Sequence, residues 1–255
     1  MAAFSNKALV LAADKAMFKA KDPSAVDRYI ARTFRQHSTM APDGAEVLRE
    51  MVAAMDPGVE VRTVRVLADG DLVATHSLYK GQEGVPPMVA FDVFRVEGGR
   101  LAEHWDAHQP LEAASVNDHT QLDGPTEVTR PDQTEATRDL AQRFIDTFAI
   151  AEEHQQLSRF CNTDLVQHNP TVGDGVAGLA LAMDDLARAG RKLEYLRRHF
   201  TVADGEFALI ATEGRLGGQP TAFYDLFRVS DDRIVEHWDV ANEIPALMPH
   251  ANGAF

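Results

Sequence analysis

Glu103-His104-Trp105-Asp106 returns unchanged as Glu236-His237-Trp238-Asp239. Upstream of each copy stands a second matched stretch. Phe91-Asp92-Val93-Phe94-Arg95-Val96 returns as Tyr224-Asp225-Leu226-Phe227-Arg228-Val229. Both pairs are 133 residues apart, from 106 to 239 and from 92 to 225. Gln36-His37 returns as Gln167-His168 at an offset of 131, and Asp69-Gly70 as Asp204-Gly205 at 135. Ordered landmarks with slightly drifting offsets mean duplication with loop insertions. The period is too long for a solenoid, and each copy is long enough to bury its own core. The seam is placed at 118–131, a polar stretch with Gly124, Pro125 and Pro131. That gives domains at 1–124 and 132–255.

Within each copy, helices precede strands. In the second, Leu140, Phe144 and Phe148 recur four apart and predict a helix over 134–150. Two further helices are expected at 152–160 and 175–189. Four strands follow, at 193–202, 206–212, 221–229 and 233–240, joined by short turns at Asp204-Gly205 and Asp231-Asp232. The first copy repeats them near 59–68, 71–79, 88–96 and 100–108. The fold class is α+β, twice in tandem.

Lys and Arg number 25 against 39 Asp and Glu, a net charge of −14. An acidic surface of this size argues against nucleic acid or an anionic membrane as partner. Cys161 is the only cysteine, read as a small buried residue in a reducing compartment. The apolar run 8–13 after Lys7 is too short for a secretion signal and is interrupted by Asp14 and Lys15. A cytoplasmic protein is expected.

Gln167-His168-Asn169-Pro170, then an Asp-Gly hairpin, then Asp-x-Phe-Arg-Val leading to Glu-His-Trp-Asp, resembles the SnoaL-like branch of the nuclear transport factor 2-like superfamily. The resemblance covers nearly all of each copy. It implies a cone-shaped α+β barrel, a strongly curved antiparallel sheet wrapped around helices with a pocket inside. Relatives commonly pair through the backs of their sheets. Two copies in one chain therefore imply an internal pseudo-dimer, as a monomer or a higher homo-oligomer. The superfamily holds cyclases, isomerases, hydrolases, dehydratases and non-catalytic binders, so function must come from the site.

Strand alternation puts His104 and Asp106 on one face and Glu103 and Trp105 on the other. His237 and Asp239 oppose Glu236 and Trp238 in the same way. In epoxide hydrolase relatives an aspartate near this place takes part in acid–base chemistry, which implies that role for Asp106 and Asp239. The bland alternative is that these histidines and aspartates only close the barrel. Asp92 and Asp225 are either second pocket carboxylates or structural partners of the Gln-His segment. His37 and His168 are placed at the pocket mouth, where titration near neutral pH suits proton transfer. The expected catalytic set is His168, Asp225, His237 and Asp239. Asn169, Glu213, His37, Asp92, His104 and Asp106 are expected to contact substrate. The second pocket is favoured, because Ser38-Thr39 replaces Asn169-Pro170 in the first.

No histidine or cysteine spacing specifies a metal, and no phosphate loop or dinucleotide fingerprint is present. No cofactor is expected. The reading is an acid–base enzyme on a small, partly apolar carbonyl or ring compound, against a non-catalytic binder with the same pocket.

Overall fold

The computed structural model describes residues 5–255. These form two compact units, 5–110 with Pro245–Phe255, and Leu111–Ile244.

In the first unit, helix α1 (Asn6–Asp14) starts at Ser5, whose hydroxyl accepts the Ala8 N–H at 3.3 Å. It widens into a π-helical stretch at Lys15–Lys19. Helix α2 (Ala25–Tyr29), strand β1 (Ile30–Gln36) and helix α3 (Ala45–Ala53) follow. A meander of β2 (Glu60–Asp69), β3 (Leu72–Lys80), β4 (Met88–Glu97) and β5 (Arg100–Pro110) completes it. The sheet order is β1-β5-β4-β3-β2, with β1 parallel to β5 and the other pairs antiparallel.

The second unit repeats this. It holds α4 (Thr134–Phe144) with a π-helical stretch at Ile145–Ile150, α5 (Leu157–Phe160), β6 (Cys161–Gln167) and α6 (Gly175–Arg188). Strands β7 (Leu193–Asp204), β8 (Phe207–Leu216), β9 (Gln219–Ser230) and β10 (Arg233–Glu243) form the meander. The order is β6-β10-β9-β8-β7. The last hairpin of each unit turns on two residues of positive φ, Gly98-Gly99 (58°, 74°) and Asp231-Asp232 (50°, 56°). Such turns match the right-handed twist of the strands they join. The expected helix face packs as a core: Phe144 stacks on Phe148 with ring centroids 5.0 Å apart and meets Phe227 edge-on at 5.4 Å.

Two features differ from the sequence expectation. Each sheet has a fifth strand, β1 or β6, where a helix was expected to pass directly into a loop. Its burial runs buried, three exposed, buried, half-buried, buried over Cys161–Gln167, and its register against β10 shifts once, so the strand as a whole carries no clean period of two. The compact units also divide differently from 1–124 and 132–255. The segment after β5 belongs to the second unit, where the Asn117 amide donates to the Gln167 carbonyl at 2.7 Å. The tail after β10 belongs to the first, where the Asn252 amide donates to the Gln36 carbonyl at 2.9 Å. Among the described residues no helix is long and apolar enough to cross a membrane.

Candidate functional site

The β10–β9 register sets Asp239 directly opposite Asp225. His237 lies on the same face of β10, two residues before Asp239. All three line a cavity of about 550 Å³ in the second unit. Its remaining wall is largely apolar, with Phe144, Phe148, Leu165, Met183, Phe223 and Phe227 among the contributors. That size and lining suit a small ligand.

His237 is held at both nitrogens. Nε2 lies 3.0 Å from Asp225 Oδ1, and Nδ1 lies 2.9 Å from Gln167 Oε1. Two acceptors suit a doubly protonated ring. Burial works against that charge, but the Asp225 hydrogen bond and the fields of Asp239 and Asp225 outweigh it and hold the imidazole above its ordinary value. The Tyr195 hydroxyl donates to both Asp225 oxygens at 3.2 Å. Burial, with Asp225 and Asp239 close by, pushes this phenol well above its usual range.

Asp239 is held differently. The Asn169 amide donates to Oδ1 at 3.0 Å and Oδ2 at 2.9 Å. The amide cannot turn round, because its oxygen accepts from Thr171 N–H at 2.9 Å and Thr171 Oγ1 at 2.8 Å. Burial raises the Asp239 carboxyl above its ordinary value. Asp225 adds to this, while the His237 charge and the Asn169 bond offset part of it.

The model of the SnoaL-like domain family matches residues 14–104. The second unit repeats that stretch in strand order, in the Asp–Asp register of its last hairpin, and in its Glu-His-Trp-Asp. Residues 14–104 are thus similar to a SnoaL-like domain, and the second unit repeats that architecture. No curated protein matches it significantly. Solved structures similar to this chain include TsrD from Streptomyces laurentii, at 19% identity over 42% of this chain and 92% of that one, with a TM-score of 0.36. IdmH, a putative polyketide cyclase from Streptomyces antibioticus, is 20% identical over 42% and 93%, at 0.35. A putative ketosteroid isomerase from Kribbella flavida is 18% identical over 45% and 84%, at 0.38.

The first SnoaL-like unit keeps the histidine–aspartate pair and changes its surroundings. His104 Nδ1 lies 2.8 Å from Gln36 Oε1, and Nε2 lies 3.3 Å from Asp92 Oδ1. A tyrosine again donates to the paired carboxylate, Tyr79 to Asp92 at 3.0 Å. Tyr79 stands on β3, whereas Tyr195 stands on β7, the counterpart of β2, so the repeat conceals this equivalence. Asp106 has no asparagine. Its Oδ2 lies 3.4 Å from His108 Nε2, and its Oδ1 is buried without a hydrogen-bond partner. The register sets Ala90 opposite His108 and Phe223 opposite Ala241, so bulk and polarity exchange strands between the units.

Asp14 adds a third carboxyl where the α-helix widens, a place held by Phe144 and Ile145 in the second unit. Burial and then Asp92 push it up to about 7, against lowering by His104 and Thr63. A carboxyl raised in the folded state contributes stability that is present below its unfolded pKa and lost as pH rises through 7. Asp14→Asn should therefore gain stability relative to the wild type between pH 5 and pH 8. Thermal melts across that range check this, and a difference independent of pH refutes it.

Three expected placements are corrected. His168 does not share the cavity. Its Nε2 lies 2.9 Å from Glu236 Oε1 and its ring stacks on Trp238 at 4.4 Å, on the opposite face of β10. His37 is placed likewise, against Glu103 at 2.9 Å and Trp105 at 4.9 Å. Asn169 orients Asp239. Glu213 lies outside the cavity lining and pairs with His199 at 3.0 Å. The reason is β6: its alternation carries past Gln167, turning Gln167 and Asn169 inward and His168 outward. Gln167 and Tyr195 were not singled out from sequence. Gln167 was legible, since Gln36-His37 and Gln167-His168 repeat together.

Proposed function

We propose that the second unit is a cofactor-independent acid–base enzyme acting on a small, partly apolar carbonyl or ring compound. The observation that carries this reading is a titratable carboxyl, Asp239, on the wall of an otherwise largely apolar cavity. A raised carboxyl is closer to the working range of a general acid or base. Both nitrogens of His237 are engaged, by Asp225 and Gln167, so its role is to position and stabilise charge rather than to carry the proton. Asp239 then moves the proton. Cyclisation, isomerisation, dehydration and water addition all fit such a site, because each needs proton relocation without a redox step.

The second reading is binding without turnover. It is favoured by Asn169, which donates to both oxygens of Asp239. The test is incubation with a panel of small cyclic ketones, enones and epoxides, followed by mass spectrometry for conversion and by methyl NMR for binding. Conversion that disappears in the Asp239→Asn protein supports the enzyme. Shifts at Leu165 and Met183 with no conversion of any bound compound support the binder.

A further inference from the structure

His119, Asp123 and His168 converge in the second unit, on the face of β10 that carries Glu236 and Trp238. Each offers one ligand atom, and these atoms lie within 4.8 Å of one another. His168 Nδ1 is 2.7 Å from Asp123 Oδ1, and His119 Nδ1 is 3.7 Å from Asp123 Oδ2. Two further oxygens are close. The Thr120 carbonyl is 2.8 Å from His168 Nδ1, and Asp174 Oδ2 is 3.5 Å from His119 Nε2. We propose that His119, Asp123 and His168 bind a divalent transition-metal ion of the zinc type, completed by one of these oxygens.

The donor set is two imidazoles and a carboxylate, which suits zinc at four-coordination. The support behind His168 is that of a metal ligand. Its far nitrogen, Nε2, meets Glu236 Oε1 at 2.9 Å, and Glu236 Oε2 accepts from Arg228 at 2.6 Å. A carboxylate behind a ligating histidine fixes its tautomer and orientation and raises its basicity. Trp238 stacks on the ring with an interplanar angle of 6° and fixes its plane. The approach is open, since the side chains of His119 and Asp123 are 37% and 42% exposed.

The first unit supplies an internal control. His37 has the same support, Glu103 and a stacked Trp105. Its Nδ1 faces the Gly253 carbonyl at 3.0 Å, with His250 nearby at 6.4 Å between centroids. The segment 245–255 contains no aspartate or glutamate. The side-chain carboxylate that Asp123 supplies in the second unit therefore has no counterpart among the side chains of that segment. The ion would tie segment 111–123 to the loop after β6, beside the Gln167 that positions His237.

The experiment is calorimetric titration of zinc chloride into the full chain after chelator treatment and dialysis. The wild type should take up zinc with micromolar or tighter affinity. The His119→Ala/Asp123→Asn protein should lose one equivalent, or bind it roughly 10-fold or more weakly. His250→Ala should leave the titration unchanged. Zinc should also raise the melting temperature of the wild type and not of the double variant. Melting without zinc checks that the variant is folded. Wild-type stoichiometry and affinity in the double variant would overturn the site, as would no uptake by the wild type.

Discussion

Truncating Trp238 to alanine should lower the unfolding free energy by about 3–5 kcal/mol, within the range for removing a buried aromatic side chain. The residue is 1% exposed. It stacks on His168 at 4.4 Å and leans on Phe207 at 6.3 Å. Its Nε1–H donates to the Asp123 carbonyl at 3.1 Å. The loss has three parts: a void too large for neighbours to close, a histidine ring stripped of its stacking partner, and a carbonyl left without its donor. Urea unfolding is the measurement, read as a fall in midpoint at unchanged slope. A loss below about 1 kcal/mol would place the side chain at the surface and refute the packing. Trp105→Ala should cost less, because that ring is 9% exposed and stacks on His37 at the longer distance of 4.9 Å.

Trp238 also shows why one part of the site was legible and another was not. The meander strands announce themselves through alternation, so His237 and Asp239 could be set on one face and Glu236 and Trp238 on the other from spacing alone. The short turns between them are local, and their residues carry the signal. His168 failed because its face depends on a strand whose pairing is parallel and non-local. Cys161–Gln167 is bulged against β10, and the ladder runs one residue further, with the His168 N–H donating to the His237 carbonyl at 2.9 Å. Once that strand is known, alternation through 167, 168 and 169 puts the three side chains where they lie. Tyr195 had no such route. Its hydroxyl reaches Asp225 from β7, while the matching Tyr79 reaches Asp92 from β3. Two different strands supply one contact, and no linear alignment of the repeats reveals it. The placement of segments 111–123 and 245–255 was equally hidden, because it depends on contacts far apart in sequence, such as those of Asn117 and Asn252 to distant carbonyls.

Asp239→Asn should reduce turnover of any substrate found for the second unit by about 100- to 10,000-fold, the span of general acid–base catalysis. The argument starts from what the substitution keeps. An amide has the carboxylate's shape, and its oxygen still accepts one of the two bonds that Asn169 now makes at 2.9 and 3.0 Å. The Asp225–His237 pair, at 3.0 Å, is untouched. The urea midpoint should therefore stay close to the wild type's, and the loss should fall on kcat. What disappears is the one cavity carboxyl that burial and Asp225 raise above its ordinary value. A second variant tests the same chemistry from the other side. The Asn169 bond lowers the Asp239 pKa. Asn169→Ala removes it, so the carboxyl should rise further, and the acid limb of the pH–rate profile should move to higher pH. A role confined to holding the sheet closed predicts a stability loss in that variant without a shifted limb. Wild-type turnover in the Asp239→Asn protein, measured with the urea midpoint unchanged, would leave the cavity without its proton carrier and remove the enzymatic reading.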